Sequence, residues 1–156
     1  MQANVAKLNI LLDLIAKKRG FLVQILTICE NQEAILSAER NEEYDKLFIG
    51  MGDEKQLLVD EVVATDNLFQ KMFDELGEDF QHIGDSNKDV IRNLQQHIMD
   101  VTELDAKIRL TENRNLERIA QTRVNPPQRS VTEASKKQLL KLYKSHDKKK
   151  DTRKKT

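Results

Sequence analysis

Leu8, Ile15, Leu22, Cys29 and Leu36 stand seven residues apart, and Leu11, Leu12, Ile25 and Leu26 follow members of that column at three or four residues. A repeat of this kind places apolar side chains on one stripe of an α-helix and commits the segment to packing against other helices. It predicts one long helix from about residue 3 to residue 37. Leu14, Phe21, Ile28 and Ile35 form a third column beside the first. The stripe is therefore wider than a two-stranded seam and calls for more than one neighbour.

The same spacing returns twice. After the break SAERNEE, Asn41 is placed to cap a second helix whose first turn carries Glu42 and Glu43, charges that suit the positive end of the helix dipole. Its columns are Tyr44, Met51, Leu58, Thr65, Met72 and Phe48, Lys55, Val62, Phe69, Leu76, ending at Gly77. Gly50 and Gly52 are expected to weaken its early turns, at roughly 1 kcal/mol each relative to Ala. GEDFQHIGDSN reads as a loop, with Ser86 and Asp89 at capping-box spacing before a third helix. That helix carries Leu94, Val101, Ile108, Asn115 and Ile91, Ile98, Asp105, Glu112, Ile119. NPP at 125–127 ends it, because a residue before proline is pushed out of helical geometry.

Lys55, Asp105, Glu112 and Asn115 are polar residues in core register. Two readings stay open: they pair across the helices and fix register, or the helices rotate and leave them wet.

Beyond the linker 125–130, Ser130 and Glu133 have capping-box spacing. Val131, Leu139, Leu140, Leu142 and Tyr143 make a short amphipathic helix over 131–146, and the basic tail 147–156 is expected to be disordered. The fold class is all-α: an antiparallel bundle of three long helices over 1–124, with a shorter, separable C-terminal helix. With 5 Gly, 2 Pro and 4% aromatics there is too little turn chemistry for a sandwich or barrel.

Composition narrows function. The net charge of +0 conceals an acidic body and a basic end, since residues 136–156 hold ten of the 26 Lys and Arg against two of the 26 acidic residues. A tail of that kind can bind phosphates with little regard to sequence, but the acidic body repels a duplex, so specific nucleic-acid recognition is not expected. No apolar run approaches the roughly 20 residues that span a bilayer. One cysteine cannot form an internal disulfide, which fits a cytoplasmic protein. His82, His97 and His146 belong to no metal-binding spacing, and Asp79 with His82 is one isolated pair. GMGD at 50–53 has Lys55 where a dinucleotide fingerprint needs its third glycine. Cys29 lies on the apolar stripe and reads as a small buried hydrophobe. No catalytic set, cofactor, metal or small-molecule substrate is expected.

Two groups of apolar residues remain for partner binding. Leu58, Val62, Phe69, Met72 and Leu76 belong to the core stripe, whereas Val59, Val63 and Phe73 sit toward its flank, where each is worth about 1.5 to 3 kcal/mol if buried. The second group is Val131, Leu139, Leu140, Leu142 and Tyr143, which either dock back on the bundle or engage a partner.

The run NQEAILSAERNEEYDKLFIGMGDEKQLLVDEVVATDNLFQKMFDEL at 31–76 resembles the flagellar export chaperones of the FlgN type. The likeness lies in Gln32, Ala34 and Ile35 at the end of the first helix, the short acidic break, and the step from Lys55 to Leu58. IRNLQQHIMDVTELDAKIRLTENRN and SKKQLLKLYKSH extend it over most of the chain. Thr65 with Asp66 and the Gly50, Gly52 pair depart from the pattern. The resemblance implies a cytoplasmic chaperone that binds the C-terminal helical region of hook-associated, filament-junction proteins, prevents early assembly and delivers them to the export apparatus. The competing reading from the residues is a coiled-coil scaffold that self-associates, as a homodimer for instance; a tail-mediated nucleic-acid module ranks below both.

Overall fold

The computed structural model describes residues 2–124. They form four helices, α1 (Gln2–Ser37), α2 (Glu42–Leu76), α3 (Asp79–Ser86) and α4 (Lys88–Val124). No strand occurs among the described residues, which are about 94% helical, and the helices pack against one another. No described helix is long and apolar enough to cross a membrane. The linker expected at 125–130, the helix expected over 131–146 and the tail over 147–156 lie outside the described residues.

The helix ends follow the sequence signals in two of three cases. Asn41 caps α2: its Oδ1 accepts the Tyr44 amide at 2.8 Å, and its carbonyl accepts the Asp45 amide at 3.1 Å. Gly77 ends α2 in the left-handed region at φ 53°, donating its amide to the Phe73 carbonyl at 3.2 Å. The third case differs from expectation. Residues 79–86, expected to be a loop, form α3, and Ser86 is its last residue rather than a cap. Asn87 makes the break: its Nδ2 donates to the Ile83 carbonyl of α3, while its own carbonyl accepts the Ile91 amide of α4. One polar side chain thus closes one helix and its backbone opens the next.

α1, α2 and α4 each contribute segments to two compact units. Among the described residues the first comprises 2–24 and 58–107, the second 25–57 and 108–124. In the first unit the core is Leu8, Leu11, Ile15, Leu22, Val59, Val62, Leu76, Leu94 and Val101. Lys7 pairs with Glu75 at 3.6 Å, Lys18 with Asp66 at 2.7 Å and Arg19 with Asp100 at 3.5 Å around it. In the second unit Phe48 and Ile119 are buried together, with Ile35, Leu36, Ile49 and Leu116 packed on them. Glu33 accepts from Arg114 at 2.7 Å, and Ser37 from Arg118.

The seven-residue columns recur as largely buried stripes on α1 and α4, except that Ile98 of α4 is 43% exposed and Ile91 and Asp105 are half-buried, and α2 needs a correction of its own. Phe48, Lys55, Val62 and Leu76 are buried as the column requires. Their companions are Gly52 and Val59, four residues further on, and Phe69 of the same column is half-buried; of the Tyr44 column Thr65 is buried, Tyr44 exposed, and Met51, Leu58 and Met72 half-buried. The seam is rotated toward the Val59 side because 48, 52, 55, 59, 62 gives the alternating four and three spacing that keeps a helix facing its neighbours. Val59, 5% exposed, is thus a core residue and not a flank residue.

Candidate functional site

Two features stand out from ordinary helix packing. The first lies in the first unit, at the end of α2. Phe69 and Phe73 are one helical turn apart, their rings stacked with centroids 6.5 Å apart, and Phe80 of α3 closes on Phe73 at 5.3 Å in a tilted arrangement. Phe73 is 41% exposed, while Phe69 and Phe80 are half-buried. Phe80 also begins a groove of about 370 Å³ between α3 and α4, lined by Gln81, Asp85, Lys88, Ile91, Arg92 and Gln95. A partly exposed aromatic cluster beside such a groove offers apolar area to a partner, with polar groups at the rim to orient it.

Of the partner residues expected from sequence, Phe73 is the one exposed here. Val63 is half-buried and Val59 is in the core. Val131, Leu139, Leu140, Leu142 and Tyr143 lie outside the described residues. Sequence reasoning missed Phe80, because the glycines of its segment point to a loop. Phe80 and Ile83 at i and i+3 are the signal that one turn of helix shares a face.

The second feature is a polar layer in the second unit. Gln32, Lys55, Thr111, Glu112 and Asn115 are all buried, none more than 5% exposed. Lys55 Nζ lies 3.3 Å from Glu112 Oε1 and donates to Gln32 Oε1 at 3.2 Å. Gln32 Nε2 donates to the Phe48 carbonyl at 3.4 Å, and the Cys29 thiol faces Glu112 Oε1 at 3.7 Å. Asn115 Nδ2 donates to the Cys29 carbonyl at 3.1 Å. Of the two open readings of Lys55, Glu112 and Asn115, burial with pairing is the one observed. Asp105 is half-buried. Sequence reasoning also missed Gln32 and Thr111 as core residues, although Gln32 continues the spacing of Leu11 and Ile25.

Such a layer holds its charge by mutual pairing and leaves no side chain open to a substrate. Among the described residues no group of three or more His, Cys, Asp and Glu could hold a metal ion. His82 is exposed and His97 half-buried. No family model, curated protein or solved structure matches the chain.

Proposed function

We propose that this protein is a flagellar export chaperone of the FlgN type, binding the C-terminal helical region of hook-associated proteins in the cytoplasm, holding them from early assembly and passing them to the export apparatus. The observation that carries the reading is the Phe69, Phe73 and Phe80 cluster, with Phe73 exposed, beside the groove between α3 and α4. An amphipathic client helix would lay its apolar side on that face, and covering one aromatic ring is worth about 1.5 to 3 kcal/mol. The role is binding without catalysis. It takes the three long helices as an antiparallel bundle, and the pairs Lys7 with Glu75 and Lys18 with Asp66 support this, since α2 numbers fall as α1 numbers rise. In the same proposal Val131, Leu139, Leu140, Leu142 and Tyr143 supply a second contact to client or export apparatus.

The test is a calorimetric titration of the full chain with C-terminal helical segments of hook-associated proteins from the same organism. Saturable binding with a negative heat-capacity change, weakened about tenfold or more by Phe73→Ala, is expected. Absence of heat at several temperatures, with mass rising with concentration in light scattering, would replace the chaperone by a self-associating scaffold. Binding that Phe73→Ala leaves untouched but truncation after Pro127 abolishes would move the site to the C-terminal segment.

A further inference from the structure

The polar layer of the second unit suits no ligand, since its groups are buried and turned on one another. We infer that it is a register lock: a set of buried hydrogen bonds and one ion pair that is complete at a single axial alignment of the α1, α2 and α4 segments of that unit. Such a lock stands whether or not the protein binds a client.

A heptad repeat leaves axial alignment undecided. Apolar residues seven apart look alike to a neighbour, so a slide of one heptad, about 10 Å, keeps aliphatic side chains opposite aliphatic side chains. The layer breaks that equivalence on all three segments. Sliding α2 replaces Lys55 by Phe48 or Val62, which strands Glu112 and Gln32. Sliding α1 replaces Gln32 by Ile25 or Glu39, and sets an ammonium against an aliphatic chain or adds a second carboxylate. Sliding α4 replaces Glu112 by Ile119 in one direction and by Asp105 in the other.

The last of these is the nearest competitor, because Asp105 keeps a carboxylate opposite Lys55. Asn115 opposes it. Its amide donates to the Cys29 carbonyl at 3.1 Å, and the same slide would put Ile108 there, taking the Asn115 amide away from its acceptor. The layer is not built for maximum stability. Asn115 Oδ1 is buried with no hydrogen-bond partner among the described residues, a cost that an aliphatic residue would not incur. Buried polar groups that fix alignment at the expense of stability are the best-attested use of such layers.

The experiment measures alignment directly. Spin labels are placed in pairs at the exposed positions Asn31, Asp53 and Asn113 in a Cys29→Ala background, and distances are read by double electron-electron resonance. The parent should give one narrow distance for each pair. The Gln32→Leu, Lys55→Met, Glu112→Leu triple variant should unfold at equal or higher urea, yet show further distances displaced by about 10 Å, or a changed oligomer mass. If the triple variant keeps the single native distances and the parent mass, the layer does not set register and the inference falls. Should that variant not fold cooperatively, the pair Lys55→Met, Glu112→Leu takes its place, with the same two outcomes: a second distance upholds the lock, a single native one removes it. The exchanged pair Lys55→Glu, Glu112→Lys should return one native distance, whereas several distances would contradict recognition through the pair.

Discussion

The two units are cut from the same three long helices and solve burial differently. In the first, ten of the described residues are buried and the one polar member, Thr65, satisfies its hydroxyl locally by donating to the Glu61 carbonyl at 2.8 Å. Its ion pairs stand at the edge: the Lys18 and Asp66 side chains keep 18% and 26% of their exposure. In the second, the pair goes inside, with Lys55 and Glu112 side chains at 6% and 3%. The same chemistry therefore has different consequences. An edge pair gives up little when broken, whereas a buried pair that loses one member leaves a buried group without the opposite charge that faced it and without water to replace it.

That difference can be broken by one pair of substitutions. Glu112→Leu alone should lower unfolding free energy by roughly 3 to 5 kcal/mol, because Lys55 stays buried without the carboxylate that faces it at 3.3 Å. Lys18→Met, the counterpart at the edge of the first unit, should lower it by about 1 kcal/mol or less. Urea unfolding of the two variants beside the parent measures both. Equal losses would mean that burial does not separate the two pairs.

Glycine gives a sharper and smaller comparison. Gly20 of the first unit and Gly50 of the second are both helical, and a Cβ added at either meets nothing within 4 Å. Gly20→Ala and Gly50→Ala should each raise stability by roughly 0.5 to 1 kcal/mol, because alanine loses less backbone freedom on folding. Similar gains in urea unfolding would locate the contrast between units in their interiors and not in their helical backbone. Gly77→Ala should act in the opposite direction, since φ 53° strains a residue with a side chain.

How far the sequence predicts all this depends on the kind of residue. Leu8, Ile15, Leu22 and Leu94, Val101, Ile108 are legible because aliphatic side chains repeated every seven residues arise from helix packing and from little else. Asn41 and Gly77 are legible because each supplies a group the helix end needs. Val59 is misplaced by spacing because α2 carries surplus apolar residues on neighbouring positions, and spacing alone does not say which adjacent columns face inward. Glu112 and Asn115 can be located in register but not decided, since a carboxylate on an apolar stripe is buried or wet according to whether a partner meets it. The partner, Lys55, comes from a segment 57 residues away, a distance no local pattern spans. Phe80 is hidden by glycines on either side, which make a helix look like a loop.

The smallest expected effect concerns a charge at the rim of the second unit. Asp45 sits in the first turn of α2 with its side chain 15% exposed, 3.9 Å from Arg40. Burial pushes its carboxyl above the ordinary carboxylate range; Arg40 pulls it back down, and the Glu42 charge adds to the rise. As pH increases from near the ordinary value of 3.8, the unfolded chain releases this proton first, and the folded protein holds the larger number of protons. Stability then falls with rising pH through the interval up to the raised folded value, whereas well below the ordinary value both states are protonated and the effect is absent. Asp45→Asn removes the titration. The stability of that variant minus that of the parent should grow in urea unfolding as pH rises from the ordinary carboxylate value of 3.8, and level off once pH passes the raised folded value. A difference that stays flat across this range would mean that the ion pair with Arg40 offsets the burial in full; a difference that shrinks would mean that the pair dominates, making this rim resemble the edge pairs of the first unit.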